Sequence, residues 1–334
     1  MILVTGGAGY IGSHAVKLLL DQGYEVAVID NLFRGYRQAI ETLQNKYGKE
    51  KLVFYEVDLL DKKTLDEAMA KIKPEGVMHF AAFCLVNESI ENPEIYFENN
   101  VFGSLNLLET MKKHEIKNLV FSSTCAVYGE SKYLPMDEKH PLSPINPYGE
   151  SKLMVEKIIS WFEKVYGLRS IIFRYFNVSG ASDDGMIGDS KKPSQLLIQN
   201  VVRGALGIEP FKLTCPKVET ADGTPIRDYV DVGDLVRAHV AAMDYLKNGG
   251  GSEVINLGTG KGSSVLEIVE MVKKITGKSF LVEPGEARKG EWAEVYADIS
   301  KAKRILDWEP KRTIKDSVET LVKWYTNHPQ GWEY

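Results

Sequence analysis

The sequence has 334 residues, of which 44% are hydrophobic and 26% are charged, and its formal net charge is −5. These values exclude a disordered, collagen-like or coiled-coil chain, and the weak acidity provides no field that would attract nucleic acid or an anionic membrane. The length suffices for two domains, or for one large α/β unit with additions.

The first residues form a short apolar run, Ile2–Val4, that reaches a glycine turn at Gly6. Because no basic segment followed by a long apolar stretch is present there, we expect no secretory signal. The longest apolar runs are much shorter than the ~20 residues that a membrane-spanning helix needs. We therefore expect a cytoplasmic protein that has neither a membrane nor nucleic acid as a partner.

In the first half of the chain, short apolar runs alternate with amphipathic stretches. Continuous apolar strands that alternate with helices indicate a parallel sheet covered on both faces, which is a Rossmann-type doubly wound α/β fold. The predicted strands are Ile2–Val4, Glu25–Ile29, Leu52–Val57, Gly76–Phe80, Asn118–Phe121 and Ser170–Phe173. The predicted helices are Ile11–Leu20, Lys63–Ile72, Glu94–Lys113 and Tyr148–Tyr166.

After about Asn177 the alternation becomes irregular. The segment Gly180–Lys192 is rich in Gly, Asp, Ser and Lys, which predicts a loop. Its aspartates do not predict a calcium site, because the alternating oxygen ligands and closing Glu of an EF-hand are missing. We expect a nucleotide-binding domain at 1–177, to which later segments return, and a smaller mixed α/β substrate domain at 178–334. Later helices are predicted at Ser194–Gly204, Asp231–Leu246, Val265–Thr276 and Ile314–Tyr325, and strands around Arg227–Val230, Val254–Asn256 and Phe280–Val282.

A glycine pattern follows the first predicted strand and opens the first predicted helix. Gly6, Gly9 and Gly12 form GxxGxxG, a variant of the dinucleotide fingerprint that lets the backbone approach a pyrophosphate at a helix N-terminus. Asp30 follows Gly12 by 18 residues, at the end of the second strand. A carboxylate there accepts the ribose hydroxyls of NAD and repels a 2′-phosphate.

Two further residues leave alternatives open. Arg34 is near enough to Asp30 in the sequence to keep NADP as an option. Asp58 follows the third strand, where it could equally hydrogen-bond an adenine edge or cap the next helix.

Tyr148 and Lys152 lie four residues apart and therefore share one helix face. An unperturbed tyrosine, with a pKa near 10, is a poor base at neutral pH, but a nearby ammonium group and an oxidised nicotinamide favour its phenolate. Thr124 follows a strand at the carboxyl edge of the sheet, where its hydroxyl can hold a reacting oxygen. This combination predicts proton transfer coupled to hydride transfer.

With these motifs the chain resembles the extended short-chain dehydrogenase/reductase family, and within it the UDP-sugar 4-epimerases, over nearly its whole length. The resemblance rests on Val4–His14, Asp30–Leu32, His79–Ala82, Phe121–Thr124, Val127–Gly129, Asn146–Gly149, Ser151–Lys152, Arg174–Asn177, Arg227–Tyr229, Asn256–Gly258 and Ala297–Ala302, the last with Ile299 interrupting.

The resemblance implies roles for residues of this chain. It implies catalysis by Thr124, Tyr148 and Lys152. It implies NAD binding by Gly6, Gly9, Tyr10, Ile11, Gly12, Asp30, Asn31, Asp58, Leu59, Phe80, Ala81, Ala82, Asn99, Ser122, Tyr148, Lys152 and Phe176. It implies UDP-sugar binding by Thr124, Asn177, Gln195, Leu196, Arg227, Arg288, Glu291 and Val295.

The implied reaction is C4′ epimerisation of a UDP-hexose through a transient 4′-keto sugar. A UDP-glucuronate 4-epimerase, another nucleotide-sugar enzyme and a non-catalytic dinucleotide sensor remain alternatives. The related 4,6-dehydratases need an acid pair directly after the catalytic hydroxyl, whereas Thr124 is followed by Cys125 and Ala126.

Two positions depart from many relatives. Cys84 stands where some epimerases carry lysine, and we expect it to be a packed small side chain. Val295 stands where epimerases of narrow specificity carry tyrosine, so the chain is expected to accept UDP-GlcNAc and UDP-GalNAc as well.

No metal site is expected, because the six histidines form no close pair or HExxH motif and the three cysteines form no CxxC. The resemblance implies a homodimer through the helices Glu94–Lys113 and Tyr148–Tyr166. The alternative is that their apolar stripes only pack on their own sheet.

Overall fold

A computed structural model describes residues 1–191, 194–285 and 292–332. Its strands are β1 (Ile2–Thr5), β2 (Val26–Asp30), β3 (Leu52–Glu56), β4 (Gly76–His79), β5 (Asn118–Ser122), β6 (Arg169–Tyr175), β7 (Asn177–Ser179), β8 (Phe211–Leu213), β9 (Ile226–Arg227), β10 (Tyr229–Asp231), β11 (Glu253–Leu257), β12 (Ser263–Ser264), β13 (Val282–Pro284) and β14 (Glu294–Val295).

The α-helices lie between these strands, with a π-helical turn at Phe97–Phe102 and a 3₁₀ turn at Cys125–Val127. They are α1 (Tyr10–Asp21), α2 (Arg37–Tyr47), α3 (Lys62–Ile72), α4 (Val86–Glu91), α5 (Pro93–Tyr96), α6 (Gly103–Lys113), α7 (Pro147–Tyr166), α8 (Leu197–Ala205), α9 (Val232–Lys247), α10 (Val265–Thr276), α11 (Ser300–Leu306) and α12 (Ile314–Asn327).

Seven strands form one sheet in the order β11-β6-β5-β4-β1-β2-β3. From β3 to β6, each neighbouring pair is parallel. The chain direction across the sheet reverses between β1 and β4, which is the switch point where doubly wound sheets bind ligands at the carboxyl ends of the strands. The predicted Rossmann-type fold is confirmed.

The residues of β1, β2, β4 and β5 are all buried, because helices cover both faces of the sheet. Side chains from α3, α6 and α7 form a core with alternate residues of the strands, such as Leu3 and Ile29. On the other face, a Cβ on Gly7 would contact both Val28 of β2 and Val16 of α1, and a Cβ on Gly76 would contact Met243 of α9. The sequence therefore buries apolar strands between two helical layers.

The predicted helix Glu94–Lys113 is wrong in detail. It begins at Pro93, whose fixed backbone suits the first helical position, and it widens into the π-helical turn before α6. Within that turn the Asn100 amide bonds the backbone of Phe83 instead of facing solvent.

Other boundaries also differ from the prediction. The predicted strand Arg227–Val230 is divided at Asp228 into β9 and β10, which lie in different sheets. The strand predicted at Phe280–Val282 lies instead at Val282–Pro284, and the sequence interpretation omitted α2, α4 and α11.

The described chain divides into two compact units. The first comprises 1–129, 141–174 and 236–255, and the second comprises 130–140, 175–235 and the described residues from 256 onward. The second unit contains the parallel pairs β7–β10 and β8–β13 and the mixed sheet β12-β9-β14. Its helices α8, α10 and α12 pack on one another.

Candidate active site

The turn between β1 and α1 is built for close backbone approach. Gly6 has φ of +70°, and a Cβ there would lie 2.6 Å from the Ala81 nitrogen. A Cβ on Gly12 would overlap the carbonyl oxygen of Gly6. Gly9 is the N-cap of α1 and has no side chain, so the first N–H groups of the helix stay open to an anion.

Asp30 ends β2 beside this turn. Its carboxylate accepts the N–H groups of Ala8 at 3.0 Å and Leu32 at 2.8 Å. Burial raises the pKa of Asp30, whereas those two hydrogen bonds act in the opposite direction. A Cβ on Gly35 would lie 2.8 Å from the carboxylate, so the glycine keeps space open beside it.

Arg34 is paired with Glu88, and its guanidinium lies 4.4 Å from the centre of the Phe83 ring. Arg34 is the residue for which the sequence left NADP binding open as an alternative, and its guanidinium is engaged in these contacts. They favour a cofactor without a 2′-phosphate, because such a group would have to compete with Glu88.

Asp58 accepts a hydrogen bond from Asn31 at 2.8 Å and another from the Leu60 N–H at 2.8 Å. The suggestion that Asp58 caps the next helix is wrong, because Asp61 caps α3 through the N–H groups of its first turn. The Asn31–Asp58 pair thus ties the ends of β2 and β3 together near Asp30.

Tyr148 is the second residue of α7, and it is 9% exposed. The Asn146 side chain caps the helix by accepting the Gly149 N–H at 2.8 Å. A Cβ on Gly149 would lie 2.7 Å from the Ala126 oxygen, so this glycine lets the segment after Thr124 pack on the first turn of α7. Thr124 is itself 6% exposed.

Lys152 is buried one helical turn beyond Tyr148. Its ammonium donates to the Ser122 carbonyl at 2.8 Å and lies 4.8 Å from the centre of the Phe121 ring. Burial lowers the pKa of Lys152 to about 8, against the opposing influence of Cys84 and Glu156. The site therefore holds a lysine whose proton is only weakly retained above neutrality.

A chain of buried polar groups supports this helix from the sheet. His79 Nδ1 lies 2.7 Å from the Thr5 hydroxyl, and His79 Nε2 lies 2.8 Å from the Ser104 hydroxyl. Because Ser104 donates to the Asn100 carbonyl, it accepts from Nε2–H, and Nδ1 accepts from Thr5. Burial, with a smaller effect from Lys152, lowers the pKa of His79 to about 3, so this ring is neutral.

The same network reaches α7 through Asn100. Its amide donates to the Ser151 hydroxyl at 3.0 Å, and that hydroxyl donates to the Tyr148 carbonyl at 2.8 Å. The sequence interpretation assigned no role to His79, Asn100 or Ser151. For His79 and Ser151 the signal was the His79–Ala82 and Ser151–Lys152 motifs, which were used only for the resemblance, whereas Asn100 lies in none of the motifs.

His239 was also missed by sequence reasoning. It is fully buried, and its Nε2 lies 3.0 Å from the Ser122 hydroxyl. Its ring lies 4.8 Å from that of Phe80 and 4.7 Å from that of Phe173, measured between ring centres. It therefore fixes Ser122 and Phe80, two residues predicted to bind the cofactor.

The remaining predicted cofactor residues are placed as follows. In the first unit, Tyr10 and Ile11 open α1, Leu59 is buried in the core, Ala81 and Ala82 follow β4, and Asn99 lies in the π-helical turn with its amide bonded to Asn100. In the second unit, the buried Phe176 donates its N–H to the Leu257 carbonyl.

Three of the predicted substrate residues meet within the second unit. Asn177 on β7 directs its amide to the Asp228 carbonyl at 3.2 Å. Arg227 on β9 is in register with Val295 on β14, and its guanidinium donates to the carbonyls of Ile226 and Trp292. Sequence reasoning thus selected three residues that the fold brings together.

Asp228 organises these strands. Its fully buried carboxylate accepts the Thr259 N–H and hydroxyl, each at 2.7 Å, and the N–H groups of Gly260 and Ala297. Burial raises the pKa of Asp228, while these hydrogen bonds lower it. Asp228 is therefore a structural acid beside Arg227.

The other substrate predictions are less closely tied to this group. Leu196 is the N-cap of α8, and Gln195 precedes it at a partly buried position. Arg288 and Glu291 lie outside the described residues.

Comparisons with known proteins agree with this geometry. A family model described as GDP-mannose 4,6 dehydratase matches residues 3–321. A UDP-glucose 4-epimerase of Lactobacillus helveticus is 43% identical over 334 residues, covering 99% of each chain. The chain belongs to the UDP-glucose 4-epimerase family.

Solved structures of UDP-glucose 4-epimerases share this fold throughout. One is 43% identical, covers 100% of this chain and 99% of its own, and has a TM-score of 0.94. Another, from Bifidobacterium longum in complex with NAD⁺ and UDP, is 36% identical, covers 99% of each chain and also has a TM-score of 0.94. The resemblance to extended short-chain dehydrogenases/reductases is confirmed.

Membership of the UDP-glucose 4-epimerase family agrees with the residues that follow Thr124. Thr124 accepts the Ala126 N–H at 3.1 Å and begins the short turn Cys125–Val127, which contains no carboxylic acid. A dehydratase acid pair is therefore absent from this part of the described chain.

Two kinds of feature are absent from the described residues. No helix among them has the length and apolar character needed to cross a membrane. Within the same ranges, no three His, Cys, Asp or Glu side chains are grouped so that they could hold a metal ion.

Proposed function

We propose that the chain inverts C4′ of a UDP-hexose, interconverting UDP-glucose and UDP-galactose, with NAD as a bound and regenerated cofactor. The observation that carries this proposal is the buried Thr124–Tyr148–Lys152 group in a chain that matches UDP-glucose 4-epimerases over its full length. The first unit is the NAD-binding domain, and the second mainly binds the UDP-sugar.

The first unit fits NAD by its shape and by its donors and acceptors. The glycines of the β1–α1 turn leave the space that side chains would fill, and the open N–H groups of α1 suit a pyrophosphate. Asp30 would accept the ribose hydroxyls, and Asp58, which is paired with Asn31, would be available to the adenine edge. Bound in this unit, NAD would supply the hydride acceptor and donor for C4′ of the sugar and would be regenerated in each cycle.

The residues of this chain move the proton and hold the sugar. Tyr148 removes the proton of the 4′-hydroxyl and gives it back, while Thr124 hydrogen-bonds the same oxygen. Lys152 favours the phenolate form of Tyr148 by its charge. The 4′-keto sugar would turn between the two half-reactions, so that C4′ presents its opposite face to the cofactor while its 4′ oxygen again lies beside Tyr148.

The second unit supplies groups suited to UDP. The Arg227 guanidinium, with Arg288, forms paired hydrogen bonds to the diphosphate, and Asn177 binds a phosphate or uracil edge. Gln195, Leu196 and Glu291 complete the nucleotide contacts, as the resemblance implies. Val295 leaves space for a 2′-acetamido group, so the substrates include UDP-GlcNAc and UDP-GalNAc.

Product analysis tests this function directly. Purified protein is incubated separately with UDP-glucose, UDP-GlcNAc and UDP-glucuronate, and the sugars are identified after acid release. We expect galactose from the first and N-acetylgalactosamine from the second. Denaturing the protein should release one NAD per chain, and release of NADP or an absence of epimerised product would contradict the proposal.

The protein acts as a cytoplasmic homodimer. Four large apolar side chains are exposed: Phe102 by 58% and, on α7, Met154 by 39%, Trp161 by 64% and Val165 by 61%. Val155 of α7, by contrast, is buried in the core. Positions 154, 161 and 165 share one side of α7, a stripe that packing on its own sheet does not explain. Light scattering should give twice the chain mass, and Trp161→Arg should give monomers; a monomeric wild type would contradict this arrangement.

A further inference from the structure

A buried ion pair joins Arg174 of β6 to Glu156 of α7 in the first unit, one helical turn beyond Lys152. The side chains of Arg174 and Glu156 are 5% and 6% exposed. Arg174 Nη2 lies 2.6 Å from one carboxylate oxygen, and its Nε lies 3.1 and 3.2 Å from the two oxygens. Although burial lowers the pKa of Arg174, its hydrogen bonds to Glu156 raise it above the ordinary value.

Stability alone does not account for this pair. Removing two charges from water is costly, and apolar residues of similar volume often stabilise a core equally well or better. Neither residue is used in the proton transfer described above. The contacts that the pair makes to other groups therefore indicate its role.

The first such contact is to the segment that carries Thr124. The Ser123 hydroxyl donates to Glu156 Oε1, and the preceding carbonyl, of Ser122, accepts Lys152 Nζ at 2.8 Å. Two adjacent residues, Ser122 at the end of β5 and Ser123 directly after it, are thus fastened to α7 at positions one helical turn apart. Thr124 follows immediately, so its position relative to Tyr148 depends on both attachments.

The second effect is electrostatic. Burial lowers the pKa of Lys152 to about 8, and the charges of Cys84 and Glu156 oppose that decrease. Tyr148 and Glu156 lie near Lys152 on α7, and Arg174 of β6 is paired with Glu156. The neutral His79 on β4 and Cys84 after β4 also act on Lys152. His239 on α9 is connected to it through Ser122. Glu156 is the carboxylate of this group.

We propose that Glu156, held by Arg174, is a positioning residue for the epimerase reaction, which fixes Thr124 through Ser123 and supplies a carboxylate charge one helical turn from Lys152. This inference rests on the proposed function, because it assigns the consequence to proton transfer by Tyr148. Glu156 does not touch the substrate in this scheme; it acts through Ser123 and Lys152.

The test compares NAD-loaded variants over a range of pH. Glu156→Gln should lower kcat roughly 10- to 100-fold with little change in KM, and should move the alkaline limb of kcat about 1 pH unit lower. Arg174→Gln, which leaves the carboxylate unbalanced, should move that limb higher. Ser123→Ala removes only the attachment, so kcat should fall without a shift of the limb.

Glu163→Gln is a matched control, because Glu163 lies on the same helix and accepts a serine hydroxyl, that of Ser170, at 2.5 Å. It should leave kcat and its pH dependence unchanged. An unshifted alkaline limb in Glu156→Gln would overturn the electrostatic role. Wild-type kcat in Ser123→Ala would overturn the positioning role, and this variant decides the matter if Glu156→Gln does not fold.

A second readout needs no substrate. The free energy of unfolding in urea is measured against pH for Glu156→Gln and for Glu156→Gln/Lys152→Met. The difference between these two variants reports on Lys152 in the absence of Glu156, and the difference between wild type and Lys152→Met reports on it in the presence of Glu156. The first difference should begin to change at a pH about 1 unit lower than the second. If the wild type fails to epimerise, the proposed function fails, whereas this measurement still decides whether Glu156 acts on Lys152.

Discussion

Replacing Lys152 with methionine should reveal, in the pH dependence of stability, how strongly the first unit acts on this side chain. Burial lowers the pKa of Lys152 from 10.5 to about 8. Below pH 8 the residue is charged in both the folded and the unfolded chain, and its burial opposes folding. Between pH 8 and 10.5 the folded chain loses the proton while the unfolded chain keeps it, so stability rises with pH.

The magnitude follows from the shift. A decrease of 2.5 units, from 10.5 to about 8, corresponds to about 3 kcal/mol at roughly 1.4 kcal/mol per unit. Relative to Lys152→Met, the wild type should therefore gain about 3 kcal/mol of unfolding free energy between pH 7 and pH 11. Other lysines and tyrosines titrate in this range, but they are common to both proteins and cancel in the difference.

Urea unfolding followed by circular dichroism, on full-length protein freed of nucleotide, measures this difference. Lys157→Met, on the same helix, provides a comparison at an exposed position. A difference between wild type and Lys152→Met that stays constant from pH 7 to pH 11 would refute the reasoning, since it would mean that burial does not disfavour the charged lysine.

Three further substitutions test the site. Tyr148→Phe should lower kcat at least ~100-fold because it removes the proton carrier; Tyr166→Phe at the exposed end of the same helix should not, and equal activities would show that Tyr148 does not transfer the proton. Gly12→Ala should abolish retention of NAD, because its Cβ would overlap the backbone of the turn. The control Gly251→Ala should retain NAD, because its Cβ would meet no atom within 4 Å. The measurement is the NAD released on denaturation. Val295→Tyr should reduce turnover of UDP-GlcNAc at least ~10-fold more than that of UDP-glucose, and an equal loss on both would contradict a steric role.

The sequence predicted the parts of this protein that depend on local pattern. Period, strand length and turn glycines located the sheet, the end of the second strand located Asp30, and the spacing of four residues placed Tyr148 and Lys152 on one helix face. These features are encoded within a few residues, so a single sequence suffices to find them.

Features that depend on long-range pairing were not predictable in the same way. His239 meets Ser122 across 117 positions of sequence, and nothing local to either residue signals the other. The π-helical turn at Phe97–Phe102 likewise depends on the bonding of Asn100 to Phe83. Asp228 was visible as part of a motif, but its four backbone and side-chain donors come from segments that only the fold assembles.

The two hydrogen bonds that Asp30 accepts limit how the cofactor preference of this protein could be redesigned. A change to NADP would require a residue that does not repel phosphate, yet removing the carboxylate leaves the N–H groups of Ala8 and Leu32 without their acceptor. Each buried donor that loses its partner costs about 1–3 kcal/mol. A successful redesign would therefore have to rebuild the backbone of both turns. Substituting the acid alone would change the cofactor selectivity but would also disorder the phosphate-binding turn.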